Sequence, residues 1–218
     1  MPRLDDRLKA VAQLIRSEVH ADIGSDHGHL LKALLAAGRI DRAIAIENKQ
    51  QPFANSRSTL AGLDADVRLA DGLNGLAVGE ADSLSICGMG GPLMVEILQA
   101  FPDRVPAKVV LQPNRETNRV RQWGWDAGFH LIDEQMIFGE RIFEVLSFEA
   151  GNGAVDPAYQ DVDRSAALQV GPHHLKRWTP KFADYLVNQR TYLQKLHGRN
   201  ESTQARLDVI VKELTDRS

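Results

Sequence analysis

The stretch "HADIGSDHGHLL", His20 to Leu31, decides how this chain is read. His20–Ile23 suit a short strand, glycines follow at 24 and 28, and an apolar helical pattern begins at Leu30. Strand, glycine turn and helix in that order open a dinucleotide-binding unit. Yet Asp22 and Asp26 stand where such a unit would hold a pyrophosphate, and Asp26 occupies the second glycine position of the NAD fingerprint GxGxxG. Like charges in a partly buried site repel at a cost of kcal/mol order. S-adenosylmethionine has no phosphate, and its sulfonium and ammonium are both positive. Acid around the turn therefore suits S-adenosylmethionine and repels NAD. Taken singly, Gly24 also fits any strand-to-helix turn, and Asp26 also fits a cap on the following helix.

Working outward, short apolar runs alternate with helical patterns. Strands are predicted at 20–23, 43–47, 66–70, 83–87 and 107–112, with helices near 29–37, 52–61, 91–100 and 115–126. Leu4, Leu8, Val11 and Ile15 give a helix before the first strand, and Gly38 is placed to end the next helix in a left-handed turn. That alternation predicts a parallel sheet covered on both faces. Residues 129–149 break the rule: "FHLIDEQMIF" and "RIFEVLSFEA" flank Gly139-Glu140 with no room for a crossover helix, so they read as an antiparallel hairpin. The expected fold class is α/β, a seven-stranded Rossmann-like sheet of the class I methyltransferase type, over residues 1–152.

From 153 onward the composition changes. "AGNGAVDPAY" (150–159) has linker character, and Leu175, Trp178, Phe182, Tyr185, Leu186, Gln189, Leu193 and Leu196 then recur at helical spacing. Leu207, Ile210, Val211 and Leu214 do so again after "HGRNES", which predicts a C-terminal helical, coiled-coil-like hairpin within 153–218. Charge follows the same division. Residues 1–150 hold 16 Lys and Arg against 21 Asp and Glu, whereas 151–218 hold 10 against 8. Lys176, Arg177, Lys181, Arg190, Lys195 and Arg199 face only Asp184 within 171–199. Such an excess suits a polyanion, and equally a solvated helix face. The hairpin's apolar seam also suits weak homodimerisation.

Composition bounds the rest. Of 218 residues, 43% are apolar, no apolar run is long enough to cross a membrane, and the N-terminus reads as an amphipathic helix rather than a signal segment. Cys87 is the only cysteine, so an intramolecular disulfide and a cysteine-rich zinc site are excluded. A cytoplasmic protein is expected, and the His27/His29 pair, without a third ligand near in sequence, does not call for a metal.

In open α/β sheets, ligands gather at the carboxyl ends of strands. Asp22, Gly24 and Asp26 follow the first strand, and Glu47-Asn48 closes the second, 23 residues past Gly24. Asp71-Gly72 closes the third and Cys87-Gly88-Met89-Gly90 the fourth. Glu47 suits ribose hydroxyls, Asp71 the adenine side, and the clustered glycines a close backbone approach. These residues form the expected cofactor set. Cys87 reads more readily as a buried strand end than as a nucleophile.

Together, "ADIGSDHGHL" (21–30), "AIAIENKQQPF" (43–53), "ADGLNGL" (70–76), "ICGMGG" (86–91), "LQPN" (111–114), "FEVLSFEAG" (143–151) and "VGP" (170–172) resemble one family, the bacterial tRNA (adenine-22-N1)-methyltransferases, or TrmK family. The family places Ala-Tyr-Leu-Pro after Asp-His, where this chain has Gly28-His29-Leu30-Leu31. The resemblance implies methyl transfer from S-adenosylmethionine to ring N1 of a tRNA adenine. It implies a carboxylate at the base edge, for which Asp26 is the first candidate and His27 the second. N1 lies on the Watson–Crick edge, so the base must be unpaired or extruded. Asn114 and Arg115 are candidates for the base-side wall, with a plain helix start after Pro113 as the alternative. The basic 176–199 segment is a candidate tRNA clamp. Two rival readings stay open: a methyltransferase for another RNA site or a small molecule, and a noncatalytic RNA-binding module that holds S-adenosylmethionine.

Overall fold

Every predicted strand forms. The computed structural model describes residues 4–217. Strands β1 (Val19–Ile23), β2 (Arg42–Glu47), β3 (Ala65–Leu69), β4 (Ser83–Cys87) and β5 (Lys108–Gln112) alternate with helices. β2, β4 and β5 are largely apolar runs buried inside the sheet, whereas β3 lies at its edge and is only half-buried. Helix α1 (Asp6–Leu14) precedes them, and α2 (His29–Ala36), α3 (Gln50–Thr59), α4 (Gly91–Ala100) and α5 (Thr117–Asp126) follow β1, β2, β4 and β5. β6 (Phe129–Phe138) and β7 (Ile142–Ala150) make the expected hairpin. The sheet order is β3-β2-β1-β4-β5-β7-β6, with β1 to β5 parallel and β7 antiparallel to both neighbours. Strand order therefore reverses between β1 and β4, which opens a crevice at their carboxyl ends. Gly38 ends α2 at φ 59°.

One face of the sheet packs Val11 and Ile15 of α1 and Leu31 and Leu34 of α2 against Ala43, Ala45, Val110 and Val145. Phe148, in register with Val109, points to the other face, where the Trp123 ring of α5 meets it edge-on at 5.7 Å. The first face also holds a polar seam. His20 lies in register with Ala43 and Ser83, and Asp22 with Ala45 and Ser85, so all point toward α1 and α2. His20 Nδ1 lies 2.6 Å from Ser83 Oγ and its Nε2 lies 2.9 Å from Ser85 Oγ. Ser17 Oγ is 2.7 Å from Ser83 Oγ, and Ser85 Oγ donates to Asp22 Oδ1 at 2.6 Å. Burial lowers the His20 pKa to about 3, so the imidazole is neutral.

A second compact unit begins at Gly153. The expected linker is shorter than its composition suggests: β7 runs through Ala150, and Ala158 and Tyr159 are buried in a helical turn at Pro157–Tyr159. Helix α6 (Arg164–Val170) has no counterpart in the sequence reading, and the long stripe beginning at Leu175 is two helices, α7 (Pro172–Arg177) and α8 (Pro180–Lys195). The break has a local cause. Pro180 disfavours a helical Thr179, Thr179 caps α8 by accepting from Phe182 N at 3.3 Å, and Trp178 turns at φ 38°. Helix α9 (Glu201–Asp216), capped by Asn200, returns against α8 and α6. Of the apolar seam, Phe182, Leu186, Leu193, Leu207 and Ile210 are buried within this unit, whereas Val211 is exposed. None of the described helices is long and apolar enough to cross a membrane.

Two consequences are measurable. A Cβ at Gly124 in α5 would lie 2.4 Å from Phe148 Cε1. Gly to Ala inside a helix gains up to about 1 kcal/mol, but forcing a methyl into a full core costs about 1–3 kcal/mol. Gly124→Ala is therefore expected to lower the urea midpoint, and an unchanged or raised midpoint would contradict this packing. His20 supplies the second. An unfolded histidine binds a proton below its ordinary value of 6.5, whereas the buried ring binds one only near 3. Stability from this group is full above that ordinary value and falls as pH drops toward the lower one, by up to about 1.4 kcal/mol per pH unit. His20→Gln should flatten that slope in urea titrations at successive pH values; identical slopes would mean the ring is not held neutral.

Candidate active site

The crevice between β1 and β4 holds a cavity of about 470 Å³. Its walls are Asp22, Gly24, Ser25, Asp26 and His27 after β1, His29 and Leu30 of α2, Cys87, Gly88 and Met89 after β4, and Arg7 and Leu8 of α1. Gly24 turns at φ 71°, a backbone conformation that favours glycine, and a Cβ there would lie 2.3 Å from Met89 Cε, so the Met89 side chain would have to shift. Asp26 also turns left-handed, at φ 59°, a conformation aspartate tolerates better than most residues. It does not cap α2. Gly28 is the N-cap and makes no side-chain hydrogen bond, so the Asp26 carboxylate stays exposed, with Oδ2 3.6 Å from His27 Nε2.

Burial sets the acid–base character of the walls. It pushes the Asp22 pKa up, opposed by the Ser85 and Ser25 hydroxyls and the Arg7 charge. Glu47 is also raised by burial, opposed by the Ser56 hydroxyl at 3.1 Å and the Asp26 backbone N–H; Asp22 and Asp26 then raise it further. Three carboxylates thus crowd one loop, and a cation relieves their repulsion. Burial and the Asp22 charge push the Cys87 thiol well up, so it is a poor nucleophile, as its strand-end position implies.

The loops after β4 and β5 are laced together. Gln112 Oε1 accepts from Arg7 Nη1 at 2.6 Å and from Gly88 N at 3.1 Å. Asn114 Nδ2 donates to Gly88 O at 2.6 Å, its backbone N–H donates to Met89 O, and Gly91 N donates to Arg115 O. Asn114 is thereby fixed beside the cavity's Gly88, while Arg115 is exposed and its Nε lies 3.9 Å from Glu116. Helix α5 starts at Thr117, later than Pro113 predicts, because Asn114 and Arg115 are used in this lacing and Glu116 turns left-handed at φ 55°.

The other expected cofactor residues lie along the same sheet edge but outside the cavity wall. Glu47 is buried against Ser56, Asn48 Nδ2 donates to Asp71 at 3.4 Å, Gly72 turns at φ 53° beside Ile97, and Gly90 caps α4. Sequence reading missed Arg7, Ser25 and Gln112, and also the seam behind Asp22. The seam had a signal: "HAD" and "SLS" put alternating polar residues into otherwise apolar central strands. Arg7 had none, because a cation on an amphipathic helix reads as solvated.

In the second unit the six basic residues do not form one face. Lys176 and Arg177 lie on α7, whereas Lys181, Arg190 and Lys195 lie on α8. Lys181 and Arg190 are nine residues apart, which places them on roughly opposite sides at about 100° per residue. Lys176 Nζ donates to Pro157 O, and Arg199 binds the carbonyls of Leu193, Gln194 and Leu196 at the end of α8. Lys181 and Lys195 are exposed.

The cavity fits S-adenosylmethionine by the chemistry of its walls: carboxylates for a cation, a glycine turn for close approach, and no ring of donors for phosphate. Residues 4–146 match the family model described as a methyltransferase domain. The chain is 34% identical to the tRNA (adenine(22)-N(1))-methyltransferase of Bacillus subtilis (strain 168), over 99% of this chain and 94% of that protein. The crystal structure of the B. subtilis M1A22 tRNA methyltransferase TrmK matches with a TM-score of 0.87 at 30% identity, over 98% of this chain and 100% of that one. Sp1610 of Streptococcus pneumoniae, solved in complex with S-adenosyl-L-methionine, matches with a TM-score of 0.83 at 26% identity, over 97% and 100%. The reversal of strand order, the acid-lined cavity and a likeness running the length of both chains agree: the chain belongs to the tRNA (adenine(22)-N(1))-methyltransferase family of S-adenosylmethionine-dependent enzymes.

Proposed function

We propose that this chain methylates ring N1 of adenine 22 in tRNA, the position acted on by its B. subtilis relative. The observation that carries the reading is the acid-lined cavity at the β1/β4 switch point, in a chain that matches that enzyme over its full length. When bound, S-adenosylmethionine supplies a sulfonium methyl as the electrophile. Asp22 and the Gly24 turn hold the positively charged end of the cofactor, and Glu47, Asn48, Asp71 and Gly72 line the nucleoside side along the sheet edge. Cys87, Gly88 and Met89 form the opposite wall, with Gly90 next to them at the start of α4.

Neutral adenine carries a lone pair and no proton at N1, so the chain need supply no base to expose it. The raised thiol of Cys87 agrees with a route that forms no enzyme–substrate bond. The methylated ring is cationic, and the Asp26 carboxylate, exposed in the cavity wall, serves to stabilise that charge or to accept from the exocyclic amine. His27 stands 3.6 Å from Asp26 and is the second group at the base edge. Asn114, fixed against Gly88, and Arg115 form the base-side wall. The second unit supplies phosphate contacts through its exposed cations, chiefly Lys181 and Lys195, rather than through one continuous basic face.

Incubating the chain with tRNA and S-adenosylmethionine and digesting to nucleosides should yield 1-methyladenosine by mass spectrometry. Asp26→Ala should lower that yield at least about 100-fold while S-adenosylmethionine affinity stays within a few-fold. Methylation of small molecules alone would sink the tRNA assignment, and cofactor binding without transfer would make the chain a binding module. Paired Lys181→Glu and Lys195→Glu substitutions should weaken tRNA binding and reduce its salt slope by about one to two, with cofactor affinity unchanged. Unaltered tRNA affinity would remove these two cations from the recognition surface.

A further inference from the structure

The seam behind Asp22 is a single file of hydrogen bonds: Ser17, Ser83, His20, Ser85, Asp22. His20 and Ser85 are fully buried and Ser83 nearly so. Each hydroxyl and the neutral ring have one proton to give, so the two ends decide which way all the bonds point. An ionised carboxylate only accepts. Ser85 then donates to Asp22 and accepts from His20 Nε2–H, while bare Nδ1 accepts from Ser83 and Ser83 accepts from Ser17. A protonated Asp22 that donated to Ser85 would reverse every bond. Ser17, which is only half-buried, would then donate onward to solvent or to Val19 O at 3.5 Å, beyond good hydrogen-bond length. The forward direction asks nothing further of Ser17. Run forward, the file ends in a hydrogen bond donated by Ser85 to Asp22, and that favours the charged carboxylate.

We propose that His20, held as the neutral Nε2–H tautomer between Ser83 and Ser85, is a positioning residue that keeps Ser85 donating and so presents Asp22 as a fixed, ionised carboxylate to the cationic end of the cofactor. The proposal rests on the reading of Asp22 as a cofactor ligand. The other polar groups around Asp22 are Ser25 in the loop, Arg7 from α1, Cys87 on β4 and Glu47 on β2. Of these only Arg7 is a cation, and it is tied to Gln112 and Asp5. Burial drives Asp22 toward its neutral form, and the file is the built device acting against that drive.

The full chain labelled with nitrogen-15 histidine tests the tautomer directly. His20 is expected to show a protonated Nε2 and a bare Nδ1, unchanged from about pH 8 to pH 5.5, well above its lowered pKa. An Nδ1–H tautomer, or a ring that titrates in that range, overturns the proposal. In the assay, His20→Leu should raise KM for S-adenosylmethionine about tenfold while kcat and KM for tRNA change little. His20→Gln, whose amide offers an acceptor and a donor as the ring does, should recover most of that loss. If His20→Leu lowers the melting temperature but leaves KM for the cofactor intact, His20 is merely structural and the proposal fails. Asp22→Asn separates this from failure of the underlying reading. If it does not weaken cofactor binding, the cofactor role of Asp22 falls. If it weakens binding while His20→Leu does not, only the role of His20 falls.

Discussion

A carboxylate inside an apolar sheet is the constraint on which this fold and its site depend. Asp22 is 3% exposed, on the interior strand β1, with Ala45 and Ser85 beside it in register. A buried ion without partners costs several kcal/mol, so its surroundings must donate hydrogen bonds or carry positive charge. Ser85 donates, and alanines at 43 and 45 on the neighbouring strand leave room for the His20 ring that orients Ser85. The polar file therefore occupies space that larger apolar residues fill elsewhere on this face. Its product is a negative group at the one crevice where strand order reverses.

The two acids of the loop differ in environment, and the difference matches two tasks. Asp22 is held by Ser85 on the neighbouring strand, which suits the cofactor role proposed for it. Asp26 sits at a left-handed turn with an exposed carboxylate, free to meet a base that arrives and leaves. The Asp26 backbone N–H binds Glu47 at the end of β2, and Gly24 N donates to Ile46 O, so the loop is tied to the end of the second strand. Because adenine N1 needs no proton removed, this loop has to orient groups and balance charge rather than carry a base.

Much of this was legible because the relevant patterns are local. Buried parallel strands are short apolar runs, and a two-residue gap such as Gly139-Glu140 admits only an antiparallel return. Acid in the first loop gave the sign of the ligand. What escaped depends on register or on the third dimension. Ser83 and Ser85 gain meaning only when β4 is laid beside β1 so that they meet His20 and Asp22. Gln112 lay inside a quoted motif, yet its partners are 105 residues away at Arg7 and 24 away at Gly88. The basic segment misled because charge was counted along the chain, whereas helical rotation scatters those cations and Arg199 is consumed as a cap. Thr179-Pro180 was a readable helix break, but the apolar spacing continued across it.

Gln112 sets how the two halves of the site are joined. Its carbonyl oxygen binds both the Arg7 guanidinium and the Gly88 amide, and Gly88 O in turn accepts from Asn114. Arg7 belongs to α1, Gly88 to the loop after β4 and Asn114 to the loop after β5, so one amide ties together three segments that arise from distant parts of the chain. The tie also draws Arg7 into a defined contact while it still lowers the repulsion felt by Asp22. A guanidinium left free in an acid-lined cavity would pair with Asp22 and compete with the cation the cavity is built to receive. Held by Gln112 on one side and Asp5 on the other, it tempers the acid without neutralising it.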